Sequence, residues 1–507
     1  MIYNTRRDFL KNCGMGLGLA VTSNLFKGNL FAQSGPASQL STENRYGITI
    51  EEMKKLLEIA LSKGGDFSEL YFEYSIANSV TMAEDIIKSS SENIRLGVGV
   101  RVLKGEQTGY GYTNDLTFEK IKAVALTAAA IANDNSQLSI ANLNIAQPKL
   151  QVYDLSNPFY DKNLELKIDL IKEAYNTAKS YDNRITKVTT SLAEDIQYIT
   201  IANSEGLLIS DTRPQVRIST SSTAIEKGNR TTAYASGGGR IGVDFYKNVV
   251  TPAEIGKRAS EEAIILLSAV NAPAGEQTVV LSSHQSGVMI HEAVGHPLEG
   301  DGIWKKSSIM WDKFGQEVAN PIVTIYDDAT IPNYRGSMNI DDEGTQTENV
   351  MLIEKGKLVG FMNDRLSAKI LKQKPNGHGR RESYKCPPIP RMNNTILAKG
   401  DNSVDEIISS VKNGFYAKTY EGGMVSGTGK FTFSVNLGYL IENGKLTKPL
   451  KNATLIGQNT NILKDMEMIS NDTAFFLGTC GKDGQSAAVT AGTPTLKIRK
   501  MTVGGKS

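Results

Sequence analysis

Six residues, His291-Glu292-Ala293-Val294-Gly295-His296, hold two of the four histidines of this 507-residue chain. Neutral imidazoles bind a borderline cation such as zinc, and a carboxylate beside a ligand can take a proton from water. The familiar metalloprotease helix places its histidines at i and i+4. Here they stand at i and i+5, and a straight helix fits that spacing badly. Five residues of α-helix rotate about 500°, so the two rings would point about 140° apart. Gly295 weakens a helix just before the second histidine, and Pro297 has no N–H to offer the carbonyl of Ala293. A turn closed by i→i+5 bonding would bring both rings onto one face. The sequence therefore predicts a π-type bulge or helix end at 293–297. Ser283 is expected to cap the helix that enters it, running through His284, Val288, Met289 and His291.

A catalytic zinc site usually takes three protein ligands and keeps one position open. The remaining nitrogen and sulfur candidates are His284, His378, Cys386 and Cys480. Cys480 is favoured. It lies in Gly478-Thr479-Cys480-Gly481-Lys482-Asp483-Gly484, where glycines let backbone crowd a cation and a tight turn offers free N–H groups. The bland alternatives are a structural histidine pair, an inert buried thiol, and a Cys386–Cys480 disulfide.

Composition is that of an ordinary globular protein, 40% hydrophobic and 22% charged, with a net charge of +2. No basic field suggests nucleic acid and no acidic tail suggests a charged partner. Thr5-Arg6-Arg7-Asp8-Phe9-Leu10-Lys11, followed by a Gly-rich apolar stretch from Cys13 to Phe26, reads as a twin-arginine export segment over residues 1–33. Export would place the mature chain in the periplasm or cell envelope, with no membrane span after cleavage. Residues 34–47 read as a linker.

Two larger regions follow. Residues 48–240 alternate helices (48–62, 118–132, 161–181) with strands (68–74, a hairpin over 95–112 turning at Lys104-Gly105, and 187–223 turning at 203–206). Gly237-Gly238-Gly239 marks a hinge or a close backbone approach. Residues 241–507 begin with a helix near 251–268 and a buried strand at 278–281. Then come strands at 322–326, 350–361, 416–420, 429–436, 438–445 and 495–498. Lys355-Gly356 and Asn443-Gly444 are hairpin turns. The fold class is α+β, a mixed α/β N-terminal domain followed by a strand-rich C-terminal catalytic domain.

The motif His291–His296 with Leu298-Glu299-Gly300-Asp301 resembles the TldD/PmbA family of metallopeptidases. So do Arg335-Gly336-Ser337, Ile340-Asp341-Asp342-Glu343-Gly344, Gly379-Arg380-Arg381-Glu382-Ser383-Tyr384, Pro390-Arg391-Met392-Asn393-Asn394-Thr395 and Gly478 to Gln485. The likeness is closer to the TldD branch than to the partner branch that lacks the metal-binding residues. It implies Zn2+ held by His291, His296 and Cys480, and Glu292 as general base. It also implies a dimer, homomeric or with a PmbA-like paralogue, whose lumen admits only unfolded or short peptides. Two features depart from the pattern. Pro297 stands where the resemblance leads one to expect glycine, and typical members are cytoplasmic whereas this chain carries an export segment.

Several residues carry blander expectations. Glu299 and Asp301 read as supports or turn residues rather than ligands. His378 reads as an exposed loop histidine, His284 as a helix-start residue, and Asp341 to Glu343 as a solvated turn. Arg380, Arg381 and Arg391 either grip peptide or form internal ion pairs. Met424 to Phe431 departs from a phosphate loop at its first glycine and at Phe431, which excludes nucleotide binding there. The rival functions are a non-catalytic peptide-binding subunit of the same fold and, from another class, a redox protein built on Cys386 and Cys480; the absence of Cys-x-x-Cys argues against the latter.

Overall fold

The computed structural model describes residues 45–505 except 133–138, 156 and 427. The export segment and most of the linker read from the sequence lie outside the described residues.

The N-terminal half is built on one sheet of seven strands: β1 (Phe67–Ala83), β2 (Ile86–Lys104), β3 (Gln107–Thr113), β4 (Asn144–Ala146), β5 (Ile185–Asn203), β6 (Leu207–Glu226) and β7 (Asn229–Gly239). Their order is β3-β2-β1-β5-β6-β4, with β7 also on β6. Alternation along β1 divides the two faces. Leu70 and Phe72 join the core under helices α1 (Ile50–Ala60) and α2 (Phe118–Ala129), while Tyr71 packs with Ile340 and Tyr384 of the C-terminal half. Helices α3 (Leu164–Ser180) and α4 (Pro252–Leu267) build a second core against β5 to β7. Thr49 and Thr251 cap α1 and α4 through bonds to the N–H groups of Glu52 and Glu254.

The strands run longer than their hydrophobic runs suggest, because pairing continues where the side chains turn polar. Turns fall where expected: Lys355 and Gly356 have φ 46° and 83°, and Asn443 and Gly444 have φ 51° and 74°. The triple glycine is a close approach. A Cβ on Gly238 would lie 2.2 Å from the carbonyl oxygen of Val216. The strands expected at 429–436 and 438–445 form instead one continuous strand, Lys430–Glu442, which ends at the Asn443-Gly444 turn. Gly438 pairs with Ala417, and the ladder continues beyond it through a register shift between Ala417 and Thr419.

The C-terminal half holds a six-stranded and an eight-stranded sheet. In the eight-stranded sheet Gly275–Leu281 runs between Asn413–Val425 and Leu496–Gly505. In the six-stranded sheet Gln485–Thr493 lies between Asn394–Leu397 and the edge strand Ala474–Lys482.

Asp341, Asp342 and Glu343 are buried, not the solvated turn expected. Asp341 accepts the backbone N–H groups of Glu343, Thr345 and Gly379, while Asp342 and Glu343 meet cations from the N-terminal sheet. Arg101 bridges Glu69 at 2.8 Å and Glu343 at 2.5 Å, and Arg213 pairs with both Asp211 and Asp342. Arg381 closes the cluster through Glu69 and the carbonyl oxygen of Asp342. His378 is likewise buried rather than exposed. Its Nε2 lies 3.1 Å from Asp327, and its Nδ1 3.0 Å from the carbonyl oxygen of Asn376. The sequence around each residue is polar, and only the distant partners make burial tolerable.

Candidate metal centre

Strand Gly275–Leu281 delivers the chain to the site. His284 adopts φ +75° in the turn that follows, and a single α-turn, Gly287–Ile290, begins three residues later. The helix expected from Ser283 is thus shorter, and no side chain caps it; its N-cap residue is Ser286. Gly287 lets this turn lie directly on the sheet, since a Cβ there would sit 2.7 Å from the carbonyl oxygen of Ala491.

Residues His291–Gly295 then form a π-turn, and the N–H of His296 donates to the carbonyl of His291. This is the i→i+5 closure that the histidine spacing requires. A 3-10 turn, His296–Leu298, follows with Pro297 inside it. Gly295 also makes room for the core: a Cβ would fall 1.8 Å from Sδ of buried Met392. The two imidazoles stand 5.1 Å apart between centroids, at 81°.

Cys480 approaches from the edge strand Ala474–Lys482, opposite Ala487. It lies on the strand itself; the tight turn is at Asp483-Gly484, with φ 50° and 73°. One ligand atom each from His291, His296 and Cys480 lies within 4.8 Å of the others, and Sγ is 3.2 Å from Nε2 of His296. Ligand bonds of about 2.0–2.3 Å in a tetrahedron leave ligand atoms roughly 3.5 Å apart. The spacing and the nitrogen–nitrogen–sulfur donor set therefore fit a zinc-type cation. Nδ1 of His291 is buried without a hydrogen-bond partner among the described residues. His284, His378 and Cys386 stand outside the cluster, and both described cysteines are free thiols.

The surroundings tune these groups. Burial raises the Cys480 thiol, but hydrogen bonds from His291 and His296 outweigh it and bring the pKa down to about 5. Burial works against charge on His296, yet Glu299 and Cys480 hold its pKa well above the usual histidine range. A cation must displace that proton, so its binding releases protons. Glu299 Oε2 lies 3.0 Å from Nδ1 of His296 and 3.0 Å from Nζ of Lys482. Burial disfavours its charge, but His296 and Lys482 prevail and lower it to about 2. This carboxylate fixes the ring with Nδ1 protonated and Nε2 facing the sulfur. Lys482 is held in turn by Asp301 at 2.6 Å and by the carbonyl oxygen of Pro390 at 3.0 Å.

Glu292 stands 3.9 Å from Nε2 of His296. Burial raises its carboxyl pKa above the ordinary range, against the pull of His291 and His296. It lines a cavity of about 910 Å³ together with the three candidate ligands, Lys482 and Arg217.

Arg380, Arg381 and Arg391 of the sequence motifs are internal. Arg380 donates to the carbonyl oxygens of Met392 and Ala488, and Arg391 to those of Cys480 at 2.7 Å and Gln485 at 3.2 Å. Arg391 thus helps to seat the cysteine. Lys482 lay within a motif already singled out, but its contacts were not legible. Arg217 lies in an alternating strand with no local signal.

The π-turn histidine pair and the thiol from a distant strand form a group that could hold a metal ion. Comparison with known proteins identifies the family. Residues 274–505 match the PmbA/TldA metallopeptidase C-terminal domain, 157–267 the central domain and 68–132 domain 1. The chain belongs to the TldD/PmbA family. It is 40% identical over 467 residues to the metalloprotease TldD homolog of Haemophilus influenzae, covering 90% of this chain and 97% of that protein. A zinc metalloprotease TldD homolog of Saccharolobus solfataricus is 28% identical, over 89% of this chain and all of that one (100%). Among solved structures, TldE from Thermococcus kodakarensis superposes with a TM-score of 0.70 at 17% identity, over 90% of this chain and 100% of that one. A Thermotoga maritima protein named as a candidate modulator of a DNA gyrase gives 0.74 at 22%, with the same coverages of 90% and 100%. These two show the shared fold.

Proposed function

We propose that the chain is a zinc-dependent peptidase acting on unfolded or short peptides. The observation that carries this reading is the convergence of His291, His296 and Cys480 beside Glu292 at the wall of one cavity. When bound, the cation supplies a Lewis acid that acidifies water and polarises a carbonyl. The other duties fall to the chain. Glu292, its carboxyl pKa raised by burial, takes a proton from the attacking water and returns it to the departing amine. Glu299, kept ionised by Lys482, holds His296 in the tautomer that presents Nε2. Arg391 holds the Cys480 carbonyl and so fixes the strand that carries the thiol.

The proposal extends to assembly and location. Likeness to TldE supports a dimer with a TldE-like paralogue or a second copy, enclosing the site in a lumen. The Arg6-Arg7 segment supports export to the periplasm. No helix of the described residues is long and apolar enough to cross a membrane.

The test is metal analysis of the purified chain, with cleavage of unfolded peptides by the native protein and by Glu292→Ala. The expected result is about one zinc per chain in both, with the rate falling by 10²-fold or more, about the contribution of general-base catalysis. Equal cleavage by the two proteins would refute the assignment of Glu292, and a native protein that binds zinc yet cleaves nothing would leave a peptide-binding subunit.

A further inference from the structure

One wall of the cavity comes from the N-terminal sheet. Among the described residues that line it, Arg217 alone belongs to that half of the chain. Arg217 is on β6, opposite Ala193 of β5 and Gly238 of β7. The acidic residues of the lining are Glu292, Glu299, Asp301 and Asp483, all from the C-terminal half.

Three cationic side chains line the cavity, and two are neutralised. Lys482 contacts Glu299 and Asp301, and Lys305 lies 3.8 Å from Asp301. Arg217 differs. Among the described residues no carboxylate lies within 4.0 Å of its guanidinium. Its Nη2 donates to the hydroxyl of Ser236 at 2.9 Å, and its centre stands 5.6 Å from the Tyr234 ring centroid. Its Nε is buried and has no partner. These neutral contacts orient the side chain and leave its charge uncompensated.

Arg335 donates to the carbonyl oxygen of Gly478 at 2.9 Å and to Thr479 Oγ1 at 3.2 Å, residues that also line the cavity. Burial, and then the charge of Arg217, push Arg335 down to about 10. Arg335 itself does not line the cavity, and the nearby carboxyl of Asp195 offsets part of its charge, so Arg217 is the cation of this half that the cavity meets directly.

We infer that Arg217 is a specificity-determining residue that receives a carboxylate of the bound peptide. A guanidinium fork matches a carboxylate in two parallel hydrogen bonds, and a partly desolvated pair is stronger than an exposed one. A peptide offers that group in two places, its C-terminus and its Asp or Glu side chains. The inference rests on the peptidase reading for its substrate class. It does not depend on turnover.

The test uses the zinc-loaded full chain carrying Glu292→Gln and a short dye-labelled peptide that ends in a free carboxylate and contains one glutamate. Binding is read by fluorescence anisotropy. Two altered peptides, one C-terminally amidated and one with glutamine for glutamate, separate the sources. One of the two changes is expected to weaken binding about tenfold, the loss typical of one charge-assisted pair. Adding Arg217→Gln should shrink that discrimination to less than twofold, and Arg217→Lys should restore part of it. Arg217→Glu should instead favour an amidated peptide carrying lysine. Discrimination that survives Arg217→Gln, equal binding of all peptides, or no binding of any, overturns the inference. Parallel turnover by the Glu292 protein keeps the two claims apart: carboxylate-dependent binding without hydrolysis defeats the peptidase reading alone, and hydrolysis indifferent to peptide charge defeats the role of Arg217 alone.

Discussion

Glu299→Gln isolates the support of one proposed metal ligand. The native carboxylate is almost fully buried and lies 3.0 Å from both Nδ1 of His296 and Nζ of Lys482. Glutamine keeps the shape and can still accept from Nδ1–H, so the loss is chiefly that of charge. Removing such an outer partner typically weakens metal binding about 10- to 100-fold. That corresponds to about 1.4–2.7 kcal/mol. Lys482 remains paired with Asp301 at 2.6 Å, so the ammonium is not stranded and the fold should persist. The assay is zinc affinity by competition with a chromogenic chelator, alongside thermal unfolding of the metal-free proteins. Asp301→Asn is the control. It takes a partner from Lys482 without touching His296, and should change affinity less than about threefold. An affinity for Glu299→Gln within threefold of native, or an equal loss in Asp301→Asn, would refute the claim that Glu299 acts through the His296 ring.

Three further outcomes follow from the geometry. Gly295→Ala drives a methyl into Sδ of Met392 and should cost about 1–3 kcal/mol in urea unfolding, with Met392→Ala recovering part of the loss; two independent, additive effects would mean the π-turn is not held by that contact. Arg101→Met strands Glu69 and Glu343 in the interior and should destabilise by about 3–5 kcal/mol, measured by the same unfolding; a loss under about 1 kcal/mol would show that Arg381 and backbone donors suffice to hold both carboxylates. In zinc-free protein the thiolate of Cys480 is the form present above about pH 5, so its modification by iodoacetamide should rise through that pH, fall away below it, and be blocked by zinc. Cys386, pushed upward by burial, should react only at alkaline pH, and coincident profiles for the two thiols would refute the role of the imidazoles.

Much of the site was legible because its signals are local. Gly295 and Pro297 make a regular helix through the motif unfavourable, and the observed i→i+5 bond is the remedy. Turn chemistry placed the hairpins at Lys355-Gly356 and Asn443-Gly444, and the helix expected near 251–268 is α4, capped by Thr251. The helix expected from Ser283 was less successful. Its first residues are drawn into a turn by the left-handed backbone of His284, and only one α-turn precedes the π-turn. Cys480 was chosen for its flanking glycines, yet it is carried on a strand, and what brings it to the histidines is pairing with Gln485–Thr493.

The sequence by itself determined which atoms are available for a metal and that the two histidines need an irregular turn, because both follow from residue chemistry over six positions. Tertiary structure decided which polar residues lie inside. Asp342 and Glu343 look like a surface turn until Arg213 and Arg101 arrive from 129 and 242 residues away. It also decided that Arg217 lines the cavity of the candidate metal centre, since a strand's alternation names its two faces but not what will cover them. Burial of charge and convergence of distant strands are properties of the packed chain, set by long-range contacts that no local window contains.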